Sequence, residues 1–523
     1  MESMKRAWRA GRRGGAAKRR AFAYGLPVAA ILAAIALRLA APGFADRLSD
    51  FCFDAFQRMA PRPAADLPVH VVDIDEASLA EYGQWPWPRT LVAELVRDLS
   101  EAGARVIGFD VLFAEPDRSS PRVFLKTIER GGVVPEETRS FLARAPDNDS
   151  ILAAAVGAAP VVVGEVLTVE RGPVPPAKAA FAVAGTTSLG TVPANAGAIA
   201  PLDSILKSAA GLGFLNHEPD WDRVVRRVPL LLRAGDKLHP SFAAELLRVA
   251  SGAKGYVVKT AGANGETNFG RADGIVAVRI GRATIPTDAT GSVWLHYTSP
   301  AAATRRISAK DVLDGNFDQS RVRGSIIIVG STFAGNNDLV ATPLSAAMGG
   351  VEVHAQLIEQ VIQGWFLERP DWSTGIELAF AAAVGLALIV IIPHLGALAG
   401  AFIALATLVA AGTGSFLAFR EAHLLIDAVY PGLVILGVYV VATLIGFLRT
   451  EAERRQVRGA FSRYMSPVLV EELAKNPGRL VLGGEMRTMT LMFCDIRGFT
   501  TISEGLNAQE LTHFINRFLS PMT

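Results

Sequence analysis

The chain has 523 residues, two or more domains by the usual size prior, which excludes a single small binding module. It carries 52 Lys+Arg against 50 Asp+Glu, and a net charge of +2 excludes a protein that coats nucleic acid through its overall charge. Half of the residues are hydrophobic and the mean hydropathy is +0.30, which points to membrane segments, while only two cysteines, Cys52 and Cys494, exclude a disulfide scaffold or a structural zinc protein.

Residues 1–20 form a basic block with Lys5, Arg6, Arg9, Arg12, Arg13, Lys18, Arg19 and Arg20 against the single acid Glu2. The apolar run 21–41 behind it predicts a first membrane crossing, with Arg38 near enough to the end to snorkel. A cleaved signal peptide with small residues at Ala40-Ala41 fits the same pattern. Either way the cations keep the first residues inside and predict export of 42–372. This exported segment is long enough for its own core and alternates strand and helix patterns, so a mixed α/β sheet is expected. Strands are predicted at 69–74, 105–113, 160–166, 224–232, 292–297 and 325–329, and helices at 89–102, 241–249 and 353–362.

Four features of this segment invite functional readings, and each has a plainer one. Asp73, Asp75 and Glu76 end a strand and could hold a cation, but acids there commonly cap the next helix. The stretch from Gly330 to Gly335 follows a strand without the Lys-Ser/Thr ending of a phosphate loop, so a turn is expected. Trp85-Pro86-Trp87-Pro88 is expected to close a core edge. His354, alone on its helix, is expected to be structural.

From Leu378 to Phe419 there is no charged residue over 42 positions, twice what one crossing needs, and Pro393-His394-Leu395-Gly396 supplies a turn. Crossings are therefore predicted at 376–392 and 397–419, and a further one at 428–448. Arg449, Arg454, Arg455, Arg458 and Arg463 follow the last of these and mark the cytoplasmic side, which would part Cys52 from Cys494. Residues 449–484 read as a helical linker in which Val457, Phe461 and Tyr464 suit a short parallel seam. Ser466-Pro467 then starts a helix with Val470 and Leu473 on its buried side, and Gly478 and Gly483-Gly484 end it.

Thr488 to Cys494 is predicted as a strand ending at Asp495, followed by a turn through Gly498 and a helix from about Asn507, where Asn507 and Glu510 form a capping pair. A carboxylate at a strand end can hold a divalent cation, and free N–H groups of a Gly-containing turn can face phosphate oxygens.

Two resemblances sharpen this reading. Glu76-Ala77-Ser78-Leu79, Gly83 to Arg89, Gly108 to Pro116, Val225 to Leu230, Val329-Gly330-Ser331, Ala341-Thr342-Pro343 and Gly350 to Ala355 resemble, in order, the type-2 CHASE domain, an extracytoplasmic sensor of bacterial receptors. That resemblance implies a sensor for a ligand it does not define. Arg487 to Glu504 resembles the opening of class III adenylate/guanylate cyclases, whose catalytic domain is α/β and ferredoxin-like. Carried over, Asp495 would be a catalytic, metal-binding aspartate, Ile496 would lend its backbone carbonyl to a metal, and Gly498, Phe499 and Thr500 would contact the triphosphate. The family uses two ions, Mg2+ or Mn2+, to offset charge on the attacking 3′-oxygen and the departing pyrophosphate.

The combined expectation is a multidomain receptor of the bacterial inner membrane, with a sensor outside, about four membrane helices, and a homodimeric cyclase inside whose catalytic part starts at 485. ATP is preferred over GTP as substrate by family prevalence alone, and no nucleic acid is expected as partner. Family spacing puts the second metal aspartate beyond Thr523, so the chain is expected to be a fragment or a truncated gene product. The alternatives are a truncated non-catalytic sensor and a guanylate cyclase. A histidine kinase or diguanylate cyclase is disfavoured, because neither a His-Glu phosphoacceptor helix nor a Gly-Gly-Asp/Glu-Glu-Phe signature follows Leu448.

Overall fold

The apolar run Val69–Ile74 is buried at every position and forms β1, as a strand covered on both faces must. The computed structural model to which it belongs describes residues 24–185, 189–263, 273–299, 305–333, 338–461 and 488–522. The basic block 1–20, Ala334-Gly335, and the linker features from Tyr464 to Gly484 lie outside these. The chain divides into two units, Met1–Phe447 and Leu448–Thr523.

In the first unit, α1 (Tyr24–Ala40) leads directly into α2 (Pro42–Met59), with proline at the first position of the second helix. After β1 come α3 (Arg89–Glu101), β2 (Val106–Phe109), α4 (Asn148–Ala158), β3 (Val161–Thr168), β4 (Gly211–Phe214), α5 (Phe242–Ser251), β5 (Arg306–Ser308), β6 (Ile326–Ser331) and α6 (Gly350–Gln363). The strands run in the order β5-β1-β6-β2-β3-β4, all parallel. One row crosses them through Val71, Ile328, Gly108, Val162 and Gly211.

Each face of the sheet has its own core. On one, Leu95, Val96 and Leu99 of α3 and Leu152 and Val156 of α4 pack on Val72, Ile107 and Val163. On the other, Phe242 and Leu246 of α5 and Val351 of α6 pack on Val71, Val162 and Ile328. This second approach is close because the sheet carries glycine beneath it. A Cβ on Gly108 would lie 2.7 Å from Phe242 and Leu246, and one on Gly330 would lie 2.7 Å from Val351.

The expected strand 105–113 is only four residues long, because Asp110 leaves the ladder, and the expected strand 224–232 is two short strands, Arg227–Pro229 and Leu231–Ala234. Smaller sheets from 180–286 cover the edge of the second core. Trp87, 2 % exposed, packs against Trp85 and Tyr82, so the Trp-Pro repeat does close a core edge.

Beyond α6 lies α7 (Ser373–Ala422), whose 50 residues would be about 75 Å long as one straight helix. It is not straight. Glu368 just before it donates its N–H to His423 O just after it, at 2.9 Å, and Leu425 N–H returns to Glu368 O at 2.8 Å. The two ends therefore meet, and the reversal falls at Gly396, whose φ of 81° and ψ of 171° are non-helical, three residues after Pro393. Leu388 and Ile392 of the first arm pack on Ala404 of the second. Then α8 (Val429–Phe461) packs its first half on the hairpin and on α1, with Ile31 among Ala381, Ile389, Val434 and Val438. Two helices, Ser373–Ala422 and Val429–Gln456, are long and apolar enough to cross a membrane, and Tyr24–Ala40 is a shorter apolar helix.

The second unit corrects one expectation. Thr488–Cys494 is extended but is not a strand: no described segment lies beside it to share a ladder, and Leu491, Met492 and Phe493 are exposed. The helices α9 (Phe499–Glu504) and α10 (Ala508–Leu519) follow, the latter with Asn507 accepting from Glu510 N–H and Glu510 accepting from Asn507 N–H, as the spacing predicts.

Candidate functional site

The residues singled out for catalysis lie together in one turn. Asp495 Oδ1 accepts from Ile496 N–H at 2.8 Å, and Phe499 N–H donates to Ile496 O at 3.1 Å, closing a turn over Arg497 and Gly498. Gly498 has φ 76° and ψ 21° while Arg497 keeps a negative φ, the combination of a type II turn, in which glycine is required at the third position. Phe499 and Thr500 then open α9, with Ile502 N–H on Gly498 O at 3.1 Å. The donors that a cation would meet here are a carboxylate and a carbonyl, hard oxygens suited to a divalent ion. Among the described residues no group of three or more His, Cys, Asp or Glu is placed to hold a metal.

The exported-type domain has a second concentration of chemistry at the carboxyl ends of its strands. β6 exits to α6 on one face of the sheet, whereas β1 and β2 exit to helices on the other, so a topological switch point lies between them, where open α/β sheets bind ligands. Asp73, opposite Gly330 in the ladder, accepts from Thr332 N–H at 3.0 Å and from Thr332 Oγ1 at 2.6 Å. Burial raises its pKa, and those bonds and Arg306 at 3.6 Å oppose the rise. Asp110 hangs from Val329 O by its N–H at 2.9 Å, and its Oδ2 has no partner among the described residues. Burial first, and the Asp338 carboxylate second, push Asp110 well above the usual carboxylate range, and burial brings Asp338 to about 6. Negative charge on Asp338 disfavours negative charge on Asp110. Asp338 also accepts Gly350 N–H on its backbone carbonyl at 2.9 Å, and a Cβ on Gly350 would fall 2.5 Å from its carboxylate, so only glycine opens α6 here. Asp75, in contrast, caps the helix Glu76–Tyr82 through Ser78 N–H at 2.8 Å, as expected.

His354 sits 1 % exposed, its ring 4.8 Å from that of His217 and 5.1 Å from that of Phe242, and neither of its ring nitrogens has a partner among the described residues. Burial holds His217 at about 4 and His354 well below its ordinary value, so both stay neutral.

A third site joins this domain to the apolar helices. One face of α2 carries Asp50, Asp54 and Gln57. Arg226, fully buried, binds both oxygens of Asp54 at 2.8 Å, and Asp222 and Asp220 at 2.7 and 3.2 Å. Gln57 donates to Leu295 O at 2.6 Å and accepts from Tyr297 N–H at 3.1 Å. Arg62 reaches Glu359 at 3.0 Å and Gln356 at 2.9 Å on α6. Beside α2 opens a cleft of about 1050 Å³ edged by Arg38, Arg47, Trp221, Asp288 and Asp371. Sequence reading missed Asp54 and Arg226. The available signal was the Arg226-Arg227 pair inside an apolar run, a charge that burial obliges to find partners.

Compared with known families, residues 29–391 match the CHASE2 domain, well over half of the chain. No curated protein and no solved structure matches it.

Proposed function

From the premise that the chain belongs to the CHASE2 domain family, a type of extracellular sensor in signal transduction, we propose that it is a multi-pass receptor of the bacterial inner membrane whose sensor governs a class III nucleotide cyclase. In this reading α1, the two arms of α7 and the apolar half of α8 make four crossings, with the sensor outside and Leu448–Thr523 inside. The cyclase converts ATP to cyclic AMP and pyrophosphate as a homodimer.

The observation that carries the cyclase reading is the run Asp495-Ile496-Arg497-Gly498-Phe499-Thr500, with its carboxylate immediately before a left-handed glycine turn that opens a helix. Asp495 and the Ile496 carbonyl would hold Mg2+ or Mn2+, which supplies positive charge for oxygens that gain negative charge. The chain's own part is positional. Gly498 keeps the turn tight, and its lack of a side chain lets the backbone at Phe499 and Thr500 approach an anionic oxygen.

The test is cyclic AMP and cyclic GMP output from membranes holding the full-length protein, with manganese and ATP or GTP. Product from ATP supports the reading, and product from GTP alone redirects it to guanylate cyclase. Absence of both in a correctly inserted protein leaves the non-catalytic sensor. Asp495→Asn should lower turnover by about two orders of magnitude or more while leaving insertion unchanged, and undiminished turnover removes Asp495 from the reaction.

A further inference from the structure

Between α2 and the second arm of α7 lies a cavity of about 270 Å³, larger than the ~150 Å³ apolar cavity that is known to accept benzene. Phe53 and Phe56 of α2, Leu408 and Phe419 of α7 and Leu425 beyond it wall it with apolar surface. Gly412 leaves it open, with no atom within 4 Å of where a Cβ would stand.

Three polar side chains at its edge are committed to the fold. Ser415 Oγ donates to Ile426 O at 2.5 Å, and Arg369 donates to Glu377 at 2.9 Å. Asp427 accepts from Val429 N–H at 2.8 Å at the start of α8. Asp50 differs from these: it is 8 % exposed, and among the described residues its carboxylate accepts one hydrogen bond, from Trp221 Nε1 at 3.2 Å. The cations nearest in effect, Arg226 and Arg227, are held by Asp54, Asp220, Asp222 and Asp288. Burial, with Asp220 adding to it, raises Asp50 to about 6. A buried carboxylate in that condition gains from a counter-charge, and an ammonium among phenyl and indole rings gains from their faces as well.

We propose that this cavity binds a small organic cation with an apolar body, a primary aromatic or short alkyl amine, whose ammonium pairs with Asp50 while its body lies among Phe53, Phe56, Leu408 and Phe419. The proposal rests on the sensor part of the reading above and is independent of the cyclase part. An anion would face the Asp50 carboxylate, with Arg226, Arg227 and Arg369 already held by carboxylates. A neutral alcohol would fill the space but leave the carboxylate without its counter-charge.

The experiment uses the full chain in lipid nanodiscs at pH 7.5, with empty nanodiscs as the blank. 2-Phenylethylamine, 2-phenylethanol and phenylacetate, which share a ring and differ in the head group, are titrated while tryptophan fluorescence, to which Trp221 and Trp294 contribute among seven tryptophans, is followed. The amine should bind at least about tenfold more tightly than the alcohol, the margin of one charge-assisted hydrogen bond, and phenylacetate should not bind. Asp50→Asn should bring amine and alcohol to equal affinity. Gly412→Leu, filling the cavity from a helix position with free space, should abolish both. Equal binding of amine and alcohol by the unaltered protein overturns the proposal, as does amine binding that survives both substitutions. Because the readout is binding, a failure here is separate from any loss of cyclic nucleotide output.

Discussion

Arg226 shows how one buried charge can fix the attachment of a whole helix. Its guanidinium is fully buried and answered by three carboxylates, so removing it takes the cation from Asp54 and Asp222 and leaves Asp220 with Arg227 alone. Arg226→Met should cost about 3–5 kcal/mol, read as a lowered thermal midpoint, and a midpoint within error of the parent would show that the network is dispensable. The buried histidines make a pH prediction. Burial holds His217 at about 4 when folded against 6.5 when unfolded, and burial lowers His354 well below its ordinary value too. The folded state binds fewer protons across that window, so their contribution is complete above pH 6.5 and is lost as pH falls through 4. Asp50 and Asp338, raised to about 6, act oppositely and regain stability as pH drops from 6 toward 3.8. Replacing His354 with Phe, which sits well beside Phe242, should make the acid limb of the stability curve shallower, and an unaltered limb would contradict the assignment. At this scale the sequence was partly readable. Asp75 could be assigned as a cap because its partner Ser78 is three residues away. Asp110 could not be related to Asp338, because only the tertiary fold relates two residues so far apart in sequence.

Among the elements, the sensor helices and parallel strands were legible because each carries a period or an apolar run long enough to identify it, as with Val69–Ile74 and Arg89–Glu101. The segment Thr488–Cys494 was not, since an alternating pattern states a capacity for pairing and the ladder needs a neighbour. The hairpin in α7 was legible through Pro393 and Gly396, although the exact point of reversal depends on backbone that only glycine adopts easily, φ 81° with ψ 171°. Gly396→Val should strain the reversal by about 1–3 kcal/mol and lower the unfolding midpoint of the membrane-embedded protein. A midpoint equal to the parent's would mean that the turn relaxes without it.

For the molecule as a whole, the apolar helices are not independent of the sensor they carry. α1 contacts both the hairpin and α8, with Tyr430 Oη donating to Ala34 O and Gly385 leaving room for Ile31. Phe53 packs edge-to-face and Phe56 at a tilt on Phe419 where α2 meets the hairpin. A change in how α2 lies against the sensor therefore reaches three helices through packed side chains, which are stiff enough to carry a displacement.

The contact of Arg62 with Gln363 has a practical meaning of another kind. These residues mark where the chain enters and leaves the α/β body, and they touch. The body is thus a cassette with adjoining ends, of the sort that tolerates being lifted out or inserted elsewhere. A short loop joining 60 to 366 would delete it and keep the helices in register, and the same cut points would let its two-core sheet be grafted onto another membrane scaffold as a transplantable reader of the outside medium.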